Sequence, residues 1–106
     1  GVLADPYGST IGGGEHFDYN IEGIGNDFIA DTMDITLVDK VIKVSDDEAF
    51  EMSRRLAREE GILAGSSSGA ALAAAFKLAS EIESGNIVTV FPDRGDRYLS
   101  KGLFDQ

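Results

Sequence analysis

The sequence contains no cysteine, a single histidine, two prolines and only nine lysine or arginine residues against nineteen acidic ones. The missing cysteines exclude a disulfide scaffold and a thiolate zinc site, and leave the redox compartment open. The scarcity of basic residues, with a net charge of -10, argues against nucleic acid, because neutralising phosphates takes clustered lysine and arginine. An anionic membrane surface is disfavoured for the same reason. No stretch reaches the roughly 18 uninterrupted apolar residues of a spanning helix, and no basic segment precedes an apolar one as in a secretory leader. A soluble, cytoplasmic protein is the expectation. The 106 residues suffice for one small domain with a modest core. The chain opens without Met on Gly1-Val2-Leu3-Ala4, followed by Asp5-Pro6. That reads as the end of a strand, and points to a piece of something larger.

What is present begins with a loop. Asp5-Pro6-Tyr7-Gly8 is turn chemistry, and Gly12-Gly13-Gly14 is a flexible run. The triple glycine lacks the strand, helix and lysine of a P-loop. His16 stands beside Phe17 and Tyr19 with no second histidine, so no metal role is expected. Ile21-Glu22-Gly23-Ile24-Gly25 spaces two glycines around an isoleucine. Such backbone either turns sharply or lets another group come close, and the residues themselves leave both readings open.

Residues 37–44 are rich in β-branched side chains and predict a strand. Ser45-Asp46-Asp47-Glu48 is a capping box, and Ala49, Phe50, Met52, Leu56 and Ala57 form the apolar stripe of the helix behind it. Acids in its first turn and arginines in its later turns complement the helix dipole, and Gly61 supplies the stop. Ile62-Leu63-Ala64 reads as a short buried strand or link. A second helix follows, capped by Ser66 or Ser67, with its body over about 69–83, an alanine-rich opening and Gly85 at its end. Residues 86–91 are continuously apolar after Asn86 and stop at Pro92, the pattern of a central parallel strand. Asp93-Arg94-Gly95-Asp96 is then a loop, and residues 97–104 a last short helix. Strand, helix, strand, helix predicts α/β architecture with parallel pairing, in which ligands sit at the carboxyl ends of strands. The serine cluster and the Pro92-Asp93 turn both fall at such ends.

Gly65-Ser66-Ser67-Ser68-Gly69 matches the Gly-x-Ser-x-Gly elbow of serine hydrolases. In that fold a histidine follows the serine, and His16 precedes it, so the hydrolase reading fails. The cluster could instead hold an anion on successive amides at a helix start. It could offer a neutral hydroxyl to a heteroaromatic nitrogen. It could simply cap a helix, worth about 1 kcal/mol.

The run from Glu60 to Ala71, with Ile21-Glu22-Gly23-Ile24-Gly25 before it and Phe91-Pro92-Asp93 and Arg97-Tyr98-Leu99-Ser100 after it, closely resembles one family. It looks like the C-terminal third of a fold-type-II pyridoxal-phosphate enzyme of the cysteine synthase and cystathionine β-synthase group, in matching order from Ala4 to Phe104. The resemblance implies a parallel-sheet, three-layer αβα core that is incomplete in this chain, with residues 1–106 as the C-terminal segment of the catalytic core. Its cofactor would be pyridoxal phosphate. The serine matching Ser67 would hydrogen-bond the pyridine nitrogen, leaving it largely unprotonated and the ring a weaker electron sink, which suits β-elimination followed by thiol addition. Gly23 and Gly25 would line the substrate entrance, and Pro92 and Asp93 would lie beside the ring.

The same resemblance places the Schiff-base lysine, the Ser-Gly-Asn-Thr loop and the phosphate cup upstream of Gly1. Lys40, Lys43, Lys77 and Lys101 match none of them, so no catalytic residue is expected here and the chain alone should not turn over. It also implies small amino-acid and thiol substrates and a homodimer when full length. Asp5-Pro6-x-Gly8-Ser9, the segment from Glu22 to Phe28 and Pro92-Asp93 look more like cystathionine β-synthases. The alanine-rich helix and Arg97-Tyr98-Leu99-Ser100 look more like bacterial cysteine synthases. A bacterial-type cystathionine β-synthase fits the mixture, with cysteine synthase or a non-catalytic α/β fragment as alternatives. Cut from its sheet, such a segment is expected to leave apolar surface bare around Val88, Val90 and the face of residues 70–75.

Overall fold

The computed structural model describes residues 1–25 and 31–92. Asp93, the loop containing it and the last helix expected over 97–104 lie outside the described residues. Two strands, β1 (Val2–Pro6) and β2 (Lys40–Val44), pair in parallel with Val2 opposite Lys40 and Pro6 opposite Val44. Pro6 donates no ladder hydrogen bond, and it stands where the strand ends. The Tyr7 amide extends the pairing by one step, donating to the Val44 carbonyl at 3.0 Å. β2 is shorter than the sequence predicts. Asp34 accepts from the Thr36 amide and winds Ile35–Leu37 into a 3-10 turn, so Leu37 belongs to that turn and the strand begins at Lys40.

The capping box forms as the sequence predicts. The Ser45 hydroxyl accepts from the Glu48 amide, and the Glu48 carboxylate accepts from the Ser45 amide, both at 3.1 Å. Together they start helix α1 (Asp46–Glu60). Gly61 ends it at φ 68°, a left-handed conformation open to glycine, with its amide on the Ala57 carbonyl. Residues 61–65 are a link in which only Ala64 forms an isolated bridge, while Ile62 and Leu63 are exposed.

Helix α2 (Ser66–Ala79) differs from its expected form at both ends. Neither Ser66 nor Ser67 caps it. Gly65 takes the N-cap with extended backbone and no side-chain cap, and the serines lie inside the first turn. The Ser66 hydroxyl is engaged elsewhere, as acceptor of the Glu22 amide. The helix stops at Ala79, well before Gly85, where the Ser80 hydroxyl takes the Lys77 carbonyl at 2.7 Å and competes with continued winding.

The two helices pack on each other, and α2 also packs against both strands. Ile21, Ile42, Val44, Ala49, Ala70, Ala73 and Ala74 form the core. Ala70, Ala73 and Ala74 are therefore covered, so that face is not bare as expected. Small residues let the helix backbones approach. A Cβ added at Gly69 would lie 2.0 Å from the Ala49 carbonyl oxygen.

Residues 86–91 are the main departure. They join no strand ladder, and Val88 and Val90 are 90% and 71% exposed. A β-branched run specifies a central strand only where neighbouring strands offer ladder partners. Among the described residues the sheet has two strands, paired with each other. Residues 86–89 instead flank an apolar groove of about 370 Å³ lined by Val2 and Ala4 of β1 and Ala71, Ala74 and Leu78 of α2.

Candidate functional site

The carboxyl ends of β1 and β2, the start of α2 and the glycine loop before residue 26 converge. Three main-chain amides fix that loop through four hydrogen bonds. Phe17 donates to the Gly8 carbonyl at 3.2 Å, Asn20 to both Asp46 carboxylate oxygens at 2.9 and 3.0 Å, and Glu22 to the Ser66 hydroxyl at 3.1 Å. Ile21 sits between the last two anchors and inserts into the core. The loop is thereby laid over the first turn of α2.

This arrangement brings two of the expected residues together. Gly23 has φ +86°, and a Cβ built on it would stand 3.8 Å from both Cβ and Oγ of Ser67. Ser67 is buried, 4% exposed, as are Ser66 and Ser68. Gly25 plays a different part. At φ +88° it packs against Tyr19 and Pro6, and a Cβ there would fall 2.5 Å from the Tyr19 hydroxyl and 2.8 Å from the Pro6 ring. Gly23 thus faces the serine cluster, while Gly25 is wedged against the end of β1. Pro92 is exposed and closes the described residues.

Two features of the surroundings escape a sequence reading. Asp5 is fully buried at the end of β1, where its Oδ2 meets the Lys43 ammonium at 2.6 Å and accepts the Gly12 amide at 3.1 Å. Lys43 also donates to the Ser9 carbonyl at 2.8 Å, so one ion pair gathers the loop after β1. The other Asp5 oxygen has no hydrogen-bond partner. Asp5 and Lys43 are opposite each other in the parallel register, and only that register reveals the pairing. The second feature is Lys77, which donates to the Lys43 carbonyl at 2.8 Å and meets Glu48 at 2.6 Å. Burial alone would raise the Glu48 carboxyl. The bonds to Lys77 and Ser45 outweigh burial and hold it below its usual value.

Chemically, the site offers neutral hydroxyls at a helix start beside backbone that carries no side chain. The serine cluster itself brings no charged side chain, and its hydroxyls can donate to or accept from a polar group.

Residues 2–93 match the family described as pyridoxal-phosphate dependent enzyme. The O-acetylserine dependent cystathionine β-synthase of Bacillus subtilis (strain 168) is 48% identical over 105 residues, covering 98% of this chain and 34% of the relative. The cysteine synthase of Staphylococcus aureus (strain Mu50 / ATCC 700699) is also 48% identical over 105 residues, with 97% and 34% covered. Among solved structures, the O-acetylserine dependent cystathionine β-synthase of Helicobacter pylori superposes with a TM-score of 0.87 at 45% identity, over 97% of this chain and 33% of that one. The cysteine synthase of Entamoeba histolytica gives 0.91 at 35% identity, over 99% and 32%. The chain spans about a third of the length of these relatives.

Proposed function

Because this chain belongs to the pyridoxal-phosphate dependent enzymes, we propose that it forms the C-terminal part of the catalytic core of a β-replacing enzyme, the part that meets the cofactor's pyridine ring. The reaction we assign to the whole protein replaces the β-oxygen substituent of O-acetylserine or serine by a thiol, with homocysteine giving cystathionine. The Cβ–O bond breaks, a Cβ–S bond forms, and acetate with the thiol's proton, or water, is released. The observation that carries the reading is the juxtaposition of Gly23 with Ser67 at the carboxyl end of the parallel sheet.

The residues present fit the group. Ser67 supplies a hydroxyl that can donate to a heteroaromatic nitrogen without transferring a proton, and Gly23 leaves open the space that a Cβ would fill beside it. When bound, pyridoxal phosphate supplies the electron sink for loss of the β-substituent. Ser67 orients the ring and keeps its nitrogen neutral, which moderates that sink. Gly23 keeps the approach to Ser67 free of side chains. Gly25 acts on the entrance through the loop's path, since its own flank is filled by Tyr19 and Pro6. Pro92 and Asp93 belong beside the ring in this reading. Sulfide as the nucleophile, making the protein a cysteine synthase, is a second reading favoured by the equal identity to the Staphylococcus aureus relative. A cytoplasmic homodimer goes with either reading, and light scattering and cell fractionation of the whole protein test it.

The experiment is a competition on the purified holoenzyme, with O-acetylserine or serine as donor and homocysteine or sulfide as acceptor, scored by product. Cystathionine as the main product supports the first reading, and cysteine as the main product supports the second. Release of neither product from any donor rejects both. Ser67→Ala is expected to weaken cofactor binding, and Ser67→Asp to change the cofactor's absorbance and its response to pH. Unchanged spectra in both variants reject the Ser67 assignment.

A further inference from the structure

Ser53 lies outside every segment that the sequence marks as a site, in the middle of α1, and it is 0% exposed. Its hydroxyl donates to the Gly65 carbonyl at 2.9 Å, in a buried bond. That carbonyl also accepts the Gly69 amide at 3.0 Å, the first hydrogen bond of α2. A single oxygen therefore carries the start of the helix and its link to the neighbouring helix.

The packing around the bond is tight. A Cβ at Gly69 would lie 2.3 Å from the Ser53 Oγ and 2.0 Å from the Ala49 carbonyl. The absent side chain at Gly69 is what allows the hydroxyl to reach the Gly65 carbonyl between the two helices. Gly65 has no side chain of its own to restrain it and no side-chain cap beside it. The plane of the Gly65–Ser66 peptide is thus set by Ser53 from one side and by Gly69 from the other. That peptide leads directly into Ser66, which holds the glycine loop, and Ser67, which faces Gly23.

We propose that Ser53 is a positioning residue for the cofactor contact: by fixing the Gly65 carbonyl it sets the direction of the Ser67 hydroxyl against the pyridine ring. The inference rests on the reading of Ser67 given above. A serine whose only task is to join two helices would affect stability and leave the cofactor's electronic environment alone. A serine that aims Ser67 alters that environment even though it never touches the ring.

The test uses the holoenzyme and four variants: Ser53→Ala, Ser53→Cys, Ser67→Ala and the double variant Ser53→Ala/Ser67→Ala. The readouts are the visible absorption band of the bound cofactor, its fluorescence and the dissociation constant for pyridoxal phosphate. Ser53→Ala is expected to shift the band and weaken the cofactor by about two- to tenfold, the span produced by losing one neutral hydrogen bond. Ser53→Cys, with a weaker donor of similar shape, is expected to fall between wild type and Ser53→Ala. If Ser53→Ala does not accumulate as folded protein, Ser53→Cys is judged by the same readouts. In the Ser67→Ala background, adding Ser53→Ala should produce no further spectral change, because the effect passes through Ser67. A lower melting temperature with unchanged band and affinity overturns the proposal. Equal spectral shifts with and without Ser67 also overturn it. If Ser67→Ala itself leaves the spectrum untouched, the assignment of Ser67 fails together with this inference. A change in Ser67→Ala but not in Ser53→Ala removes only the role of Ser53.

Discussion

The Ser66 hydroxyl accepts the Glu22 amide at 3.1 Å across 44 positions of sequence, and this bond holds the glycine loop down on α2. Ser66→Ala removes the acceptor and leaves a partly buried amide to find water. The expected cost is about 1 kcal/mol, concentrated in the loop. Hydrogen exchange should show faster exchange at Glu22 and Gly23 while the core of α1 stays protected. Uniform protection in the variant would show that the loop is held by other means.

Gly23 and Gly25 share a positive φ but differ in their surroundings. Gly23→Ala meets ordinary contacts at 3.8 Å and is expected to cost about 1–2 kcal/mol from backbone strain alone. Its new methyl group faces Ser67, so substrate or cofactor affinity should fall by more than the stability loss suggests. Gly25→Ala adds collisions with Tyr19 and Pro6, and its expected loss is the larger by roughly 1–3 kcal/mol. Denaturant unfolding of the two variants checks the order, and the opposite order refutes the assignment of their roles.

Gly69→Ala drives a methyl group into the main chain of α1, at the Ala49 carbonyl. A flexible side chain could give way there, but a helix backbone cannot do so locally. The expected destabilisation is about 3 kcal/mol or more. A variant with wild-type stability would mean that the helices are farther apart than described.

Asp5 and Lys43 form a pair in which the carboxylate is almost entirely removed from solvent. Lys43→Met leaves that charge buried without its cation, at an expected cost of about 3–5 kcal/mol. Combining it with Asp5→Leu removes the stranded charge and should recover a large part of the loss. A double variant as unstable as Lys43→Met, measured by denaturant unfolding, would contradict this.

Glu48 gives a pH dependence of definite sign. Its carboxyl titrates below the usual value of about 4.5 in the folded protein, so the unfolded chain binds the proton more readily. Its stabilising contribution is therefore complete above that usual value and is lost as the pH falls through the lowered one. Glu48→Gln should flatten part of the acid limb of a melting-temperature curve and leave the difference constant near neutrality. An unaltered acid limb would show that the contacts to Lys77 and Ser45 do not bias the titration.

Local chemistry was the most legible part of the sequence. The capping box at Ser45 and Glu48 and the stop at Gly61 follow from residues close in sequence, and the structure has them as expected. The parallel α/β sheet is present too, but the strand-helix-strand-helix order is not, since both described strands precede both helices. The serine cluster is misleading as a cap, because the Ser66 hydroxyl is claimed by an amide 44 positions away. The same limit hid Ser53, whose partner is known only once α1 and α2 are packed. The two glycines looked equivalent in sequence and separated only when Tyr19 and Ser67 took their places beside them. The composition of residues 86–91 predicts a central strand, but a strand is specified by its neighbours as much as by its own residues.

The bare stretch at Ile87-Val88-Thr89-Val90-Phe91 also bears on how the chain behaves at high concentration. It has no charge and no proline, and its β-branched and aromatic residues favour the extended state. Copies of such a segment can stack into cross-β ribbons, each chain supplying the ladder that the next one lacks. Pro92 and Asp93 close the stretch as gatekeepers on one side, and Gly85 and Asn86 leave the other side unguarded. Expressed alone, these 106 residues should collect in inclusion bodies whose core is this stretch, and Val88→Lys should return them to the soluble fraction.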